Sequence, residues 1–116
     1  IKATPWLTER HGYDPTCYDA VVMDPPSYGR GPGGEMWKIE TELYPFVKLC
    51  AELLSDDPLF FLINSYTTGL QPAVLSNILT LCLAGRAGRI EAYEVGLPTE
   101  EKIPLPCGAG GIYIHD

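Results

Sequence analysis

An α/β architecture, in which helices pack against a mainly parallel sheet, follows from three features of the chain. Two short apolar runs have strand length, helical spacing fills the interval between them, and each run ends in a polar loop. The first run lies within Tyr18 to Met23 and ends Ala20-Val21-Val22-Met23; the second is Leu59 to Ile63. Continuous apolar runs of this length mark strands buried on both faces, whereas a half-buried strand would alternate. Between them, Leu43, Phe46, Val47, Cys50, Leu53 and Leu54 recur at intervals of three and four, the signature of an amphipathic helix over about Glu42 to Leu54. Buried strands that alternate with such helices build parallel sheets by right-handed crossovers. In such sheets ligands bind beyond the carboxyl ends of the strands.

Each element has its own local justification. Lys2 to Arg10 reads as the end of a helix with Trp6 and Leu7 on its apolar side, and Gly12, Asp14 and Pro15 break it. The strand over Tyr18 to Met23 is β-branched and leads into Asp24-Pro25-Pro26. Gly31-Pro32-Gly33-Gly34 forms a flexible lip beside that loop. Pro45 belongs in the first turn of the following helix, or marks a join to a short helical piece around Trp37. Ser55 to Pro58 stops that helix. After the second strand, Asn64 to Gly69 is a polar loop, and Pro72 opens a second helix through Val74, Leu75, Ile78, Leu79, Leu81, Cys82 and Leu83. Ile90 to Val95 and Ile112 to Ile114 read as two further strands, with Pro104, Pro106 and a glycine cluster between them.

Length and composition narrow the possible functions. The chain's 116 residues make one domain, and its 46% apolar content supports a core rather than a disordered tail. No apolar stretch approaches the roughly 20 residues that span a bilayer, and no signal-peptide pattern opens the chain, so a cytoplasmic protein without membrane contact is expected. The net charge of −7 argues against broad, nonspecific attraction to nucleic acid. Cys17, Cys50, Cys82 and Cys107 are irregularly spaced, and His11 and His115 stand at opposite ends. Reduced thiols and no metal site are expected.

The most informative segment is Asp24-Pro25-Pro26-Ser27-Tyr28-Gly29, released straight from the first strand. Each proline fixes φ and lacks an N–H, so the pair holds the loop's shape and leaves carbonyls facing outward. A carboxylate, free carbonyls and a flat ring form a cradle suited to a planar nitrogenous group with N–H donors. The alternative is a proline-rich turn that merely caps a strand.

This motif after a buried strand resembles the fourth motif of class I S-adenosylmethionine-dependent methyltransferases. The stretch Asp24 to Glu40 resembles a bacterial branch near the ribosomal RNA cytosine-C5 methyltransferases. Leu53-Leu54-Ser55, Asn64 to Leu70 and Leu105-Pro106-Cys107-Gly108 are similar to the same branch. The resemblance implies the C-terminal half of a Rossmann-like methyltransferase sheet. Residues 1–116 would then be a partial catalytic domain that holds the fourth to seventh strands, the last one antiparallel. The family's glycine-rich cofactor turn is not found in the chain, and the loop after the fifth strand, Asn64-Ser65-Tyr66-Thr67, lacks the cysteine used by cytosine-C5 enzymes. Asp-Pro-Pro loops also resemble those of amine methyltransferases.

The resemblance implies methyl transfer from S-adenosylmethionine to a base nitrogen or carbon of RNA, and kinship alone points to ribosomal RNA. It gives Asp24, Pro25, Pro26 and Tyr28 catalytic roles, places Asp24 and Pro25 also against the cofactor, and assigns Arg30, Lys38, Asn64 and Tyr66 to substrate. The isolated piece is expected to be inactive. Its open sheet edge and uncovered helix faces imply a homo-oligomer. A noncatalytic RNA- or protein-interaction module of the same fold is the alternative.

Overall fold

The computed structural model describes residues 18–116. The helix end expected over Lys2 to Arg10, and the environments of His11 and Cys17, lie outside them. In chain order the elements are β1 (Ala20–Met23), β2 (Tyr28–Arg30), β3 (Met36–Lys38), α1 (Ile39–Ala51), β4 (Phe60–Ser65), α2 (Pro72–Cys82), β5 (Gly88–Leu97) and β6 (Leu105–His115).

The main sheet has four strands in the order β1-β4-β6-β5. β1 pairs parallel with β4, setting Ala20 opposite Phe60 and Met23 opposite Ile63. β6 runs antiparallel to β4 and to β5. Hence β1, β4 and β5 point one way and β6 is reversed, which is the mixed sheet with an antiparallel last strand that was expected. β2 and β3 form a separate two-stranded ribbon.

The core lies on one face of the sheet. Side chains alternate along a strand, and Phe61, Ile63 and Ser65 of β4 are buried with Ala109 and Tyr113 of β6. Leu43, Val47 and Cys50 of α1 and Leu75 and Leu79 of α2 are buried in the same cluster. The intervening residues Phe60, Leu62, Asn64, Ile112 and Ile114 are half-buried, and Val22 is 66% exposed. At the foot of the sheet the Tyr113 hydroxyl donates to the Ala87 carbonyl at 2.6 Å, and His115 Nε2 lies 3.0 Å from Asp57 Oδ1.

Several boundaries depart from the sequence reading, each for a physical reason. The segment around Trp37 is a strand rather than a helical piece, because it pairs with Tyr28–Arg30. Gly31 to Gly34 is the turn of that ribbon, held by Gly31 N–H to the Glu35 carbonyl at 2.8 Å and Gly34 N–H to the Gly31 carbonyl at 3.1 Å. Helix α1 starts at Ile39, so Pro45 falls in its second turn and leaves the Thr41 carbonyl without a helical donor. Both residues are exposed, so water can satisfy that carbonyl. Leu53 and Leu54 leave the helix yet stay buried. Tyr18 joins the fold through an isolated bridge to Leu54, ahead of β1.

The largest departure is β6, which absorbs Pro106 and the glycine cluster expected to separate two strands, while Pro104 stays outside it. A Cβ on Gly111 would stand 2.8 Å from the Leu75 Cβ, and one on Gly110 would stand 2.4 Å from the Tyr93 ring. These glycines let α2 and a cross-strand ring approach the sheet closely. They do not break the strand. Pro106 sits opposite Gly96, beside the register shift between Val95 and Gly96, where a missing N–H is tolerated. The β5–β6 pair continues past the last β4 pairing, Ser65 with Ala109, as far as Leu97 opposite Leu105. A hairpin therefore overhangs the carboxyl rim. Among the described residues no helix is long and apolar enough to cross a membrane.

Candidate active site

Asp24 is the first residue beyond β1 and Tyr66 the first beyond β4. Since Met23 pairs with Ile63 in parallel register, Asp24 and Asn64 stand next to each other at the carboxyl ends of neighbouring strands. Asn64 is the penultimate residue of β4 and not part of the loop, as the sequence reading had it; β4 runs on because Asn64 and Ser65 pair with Gly110 and Ala109. Its side chain is half-buried on the sheet face away from the helices.

The acid loop is pinned from several directions. The Trp37 indole N–H donates to the Pro26 carbonyl at 2.6 Å. Ile39 N–H donates to the Ser27 carbonyl at 3.1 Å. The Ser27 and Thr67 hydroxyls hydrogen-bond at 2.5 Å, which ties the acid loop to the loop after β4. Pro25 is buried. Among the described residues the Asp24 carboxylate is exposed and has no hydrogen bond or ion pair, and the Pro25 carbonyl accepts none. The carboxylate and that carbonyl are thus uncommitted acceptors in a loop whose shape is fixed elsewhere.

The β2–β3 ribbon has two unlike faces. Tyr28, Arg30, Met36 and Lys38 share one face by their alternation and pairing, and all four are exposed. Trp37 lies on the other face, edge-on to Phe46 with ring centroids 5.6 Å apart. This ring anchors the ribbon to α1 and the loop to the ribbon. Tyr28 is 55% exposed and Tyr66 is 56% exposed, so both rings present open surface. A hollow of about 460 Å3 adjoins Asp24, walled by Val22, Met23, Pro25, Trp37 and Phe46. It is mainly apolar, with one carboxylate at its edge.

Sequence reading missed Ser27, Thr67 and the hydrogen bond from Trp37. A hydroxyl pair across 40 residues of chain leaves no local signal, although a tryptophan beside a proline-rich turn offers one, since its N–H needs an acceptor. Cys107 was also passed over. Because β6 is reversed, its beginning lies at the rim, and the Cys107 thiol donates there to the Val95 carbonyl at 3.3 Å. Cys50, Cys82 and Cys107 are free. Burial pushes the Cys50 thiol up to about 11. Burial also raises Cys82, against an opposing pull from Lys48. Among the described residues no group of three His, Cys, Asp or Glu side chains could hold a metal ion.

A mixed sheet of this order, with two helices on one face and a loop-bound acid at its carboxyl rim, is a fragment of a methyltransferase-like α/β fold. The chain is similar to the crystal structure of an SAM-dependent methyltransferase from Agrobacterium tumefaciens, with a TM-score of 0.79 and 23% identity, over 98% of this chain and 38% of that one. It is also similar to a protein assigned as a methyltransferase and solved in complex with SAH, with a TM-score of 0.66 and 12% identity, over 98% of this chain and 30% of that one. The chain therefore spans 38% of the length of the first neighbour and 30% of the second. No protein-family model and no curated protein sequence matches it.

Proposed function

We propose that this chain presents the acceptor side of an S-adenosylmethionine-dependent methyl transfer to a nucleobase of RNA. The observation that carries the reading is the uncommitted Asp24 carboxylate at the carboxyl end of β1, in a loop pinned by Trp37 and Thr67. The bound SAH of one structural neighbour supports the cofactor. So does the hollow beside Asp24, whose apolar wall of Val22, Met23, Pro25, Trp37 and Phe46 has room for a methyl group and a flat ring. When bound, that group supplies a methyl already activated for transfer, so the protein's task is positioning.

In this reading Asp24 and the Pro25 carbonyl accept hydrogen bonds from the acceptor's N–H groups and fix the ring plane. Pro26, its carbonyl held by Trp37, keeps the two acceptors in place. Tyr28 offers a stacking face to a base swung out of its helix. Asn64 and Tyr66 line the adjoining wall. Arg30 and Lys38, exposed on the outer face of the ribbon, meet backbone phosphate and offset the −7 net charge locally.

The test is Asp24→Ala in the intact protein. Methyl transfer to RNA should fall at least about a hundredfold, the scale of loss for a misplaced reactant, while S-adenosylmethionine affinity stays within about threefold. Equal loss of both would make Asp24 a structural residue. RNA binding without any methyl transfer by the unsubstituted protein would identify a noncatalytic module of the same fold.

A further inference from the structure

A second hollow lies on the same rim, between the end of β4, the first turn of α2 and the beginning of β6. It encloses about 240 Å3, and Tyr66, Gln71, Glu94 and Cys107 contribute to its lining, with Pro72 and Pro106 among its apolar residues. Thr67 also lines it, and the hydroxyl bond from Thr67 to Ser27 makes it the immediate neighbour of the acid loop. The Glu94 carboxylate, the Gln71 carboxamide and the Tyr66 hydroxyl are exposed and make no hydrogen bond or ion pair among the described residues. No lysine or arginine lines the hollow.

These features select a chemistry. A carboxylate with no cation beside it repels phosphate and calls for an N–H donor. An open aromatic ring calls for a flat partner. The volume is below the roughly 300–1,000 Å3 of pockets for drug-sized ligands, which suits a single ring system. We propose that this hollow receives an amino-bearing nucleobase, the neighbour of the base presented to Asp24. Its exocyclic amine donates to Glu94, and its face rests on Tyr66. The hollow and the acid loop would then hold consecutive bases of one strand. That the ligand is a nucleobase rests on the function proposed above; that the hollow is occupied is tested separately, without methyl transfer.

Cys107 is a reporter built into the hollow, and buried Cys50, with its thiol raised to about 11, is an internal control for folding. Iodoacetamide labelling of the intact protein, read by peptide mass, should be slowed at Cys107 by cytidine. Uridine has the same ring with a carbonyl in place of the amine and should protect at least about fivefold more weakly, the least expected for a lost amine–carboxylate contact. Glu94→Gln should erase cytidine's advantage, and Tyr66→Ala should weaken protection by both nucleosides, with Cys50 still slow to label in each. A short single-stranded oligocytidine should protect at about tenfold lower concentration than cytidine, because bases in a strand bind together. Equal protection by cytidine and uridine, or none by either, overturns the proposal, and parity of strand and nucleoside overturns its placement beside the acceptor. Loss of turnover in Asp24→Ala with Cys107 protection intact leaves the hollow's role standing. Normal Asp24-dependent turnover without protection removes only this inference.

Discussion

Trp37 shows how one side chain can set the geometry of another residue's backbone. Its indole N–H takes up the Pro26 carbonyl, and its ring rests edge-on against Phe46. Trp37→Phe removes that N–H together with part of the ring. It should cost at least about 1 kcal/mol, the usual net value of a hydrogen bond, read as a lower urea midpoint by circular dichroism. An unchanged midpoint would mean that the two prolines alone hold the loop. Asp24 was legible in sequence because a carboxylate and two prolines leave a buried strand together. Trp37's partner was not, because its acceptor is a backbone carbonyl 11 residues away that becomes adjacent only once the ribbon folds. The same limit hid Ser27 and Thr67, which meet only once the crossover from β1 to β4 has folded.

Among the elements, β6 most clearly separates what composition suggests from what packing allows. Three glycines in a short span read as a loop, yet each sits in a paired strand where a neighbour approaches closely. The strands β1 and β4 and both helices were legible because apolar periodicity reports burial directly. β6 was legible only at Ile112 to Ile114, since a glycine contributes no side chain to a pattern. The two inner glycines should differ sharply on substitution. Gly111→Ala sets a methyl group 2.8 Å from the Leu75 Cβ on a packed helix. It should destabilise by about 1–3 kcal/mol, as overpacked cores do. Gly110→Ala meets only the ring of Tyr93, which is 40% exposed and free to swing aside. Its unfolding midpoint should stay near that of the parent, and equal losses for both variants would refute the packing account.

Across the whole molecule, stability should decline at alkaline pH. Burial raises the Cys50 thiol from 9.0 to about 11 and raises Cys82 with Lys48 opposing. Burial also raises the Tyr113 hydroxyl, with Arg86 lowering it and Asp116 adding to the rise. Each is an acid kept neutral by the fold, so above its unfolded value the unfolded chain binds fewer protons than the native one. The stabilisation is complete below pH 9 and is lost as pH climbs through the folded value. For Cys50 alone the slope between 9 and about 11 is roughly 1.4 kcal/mol per pH unit. Urea midpoints measured from pH 8 to 11 should fall steeply for the parent and less so for Cys50→Ala. Parallel curves would show that the thiol does not titrate with unfolding.

The overhanging β5–β6 hairpin carries a consequence for how such a rim diversifies. Beyond Ser65 it is tethered to the rest of the sheet only through its own two strands, so its length is uncoupled from the β4 register. Adding a residue to each strand near the tip lengthens the overhang and leaves Glu94, paired with Ala109 at the level of Ser65, facing as it did. The reach of the overhang can therefore change in small steps, with the acid loop, the Glu94 hollow and the buried core left as they are.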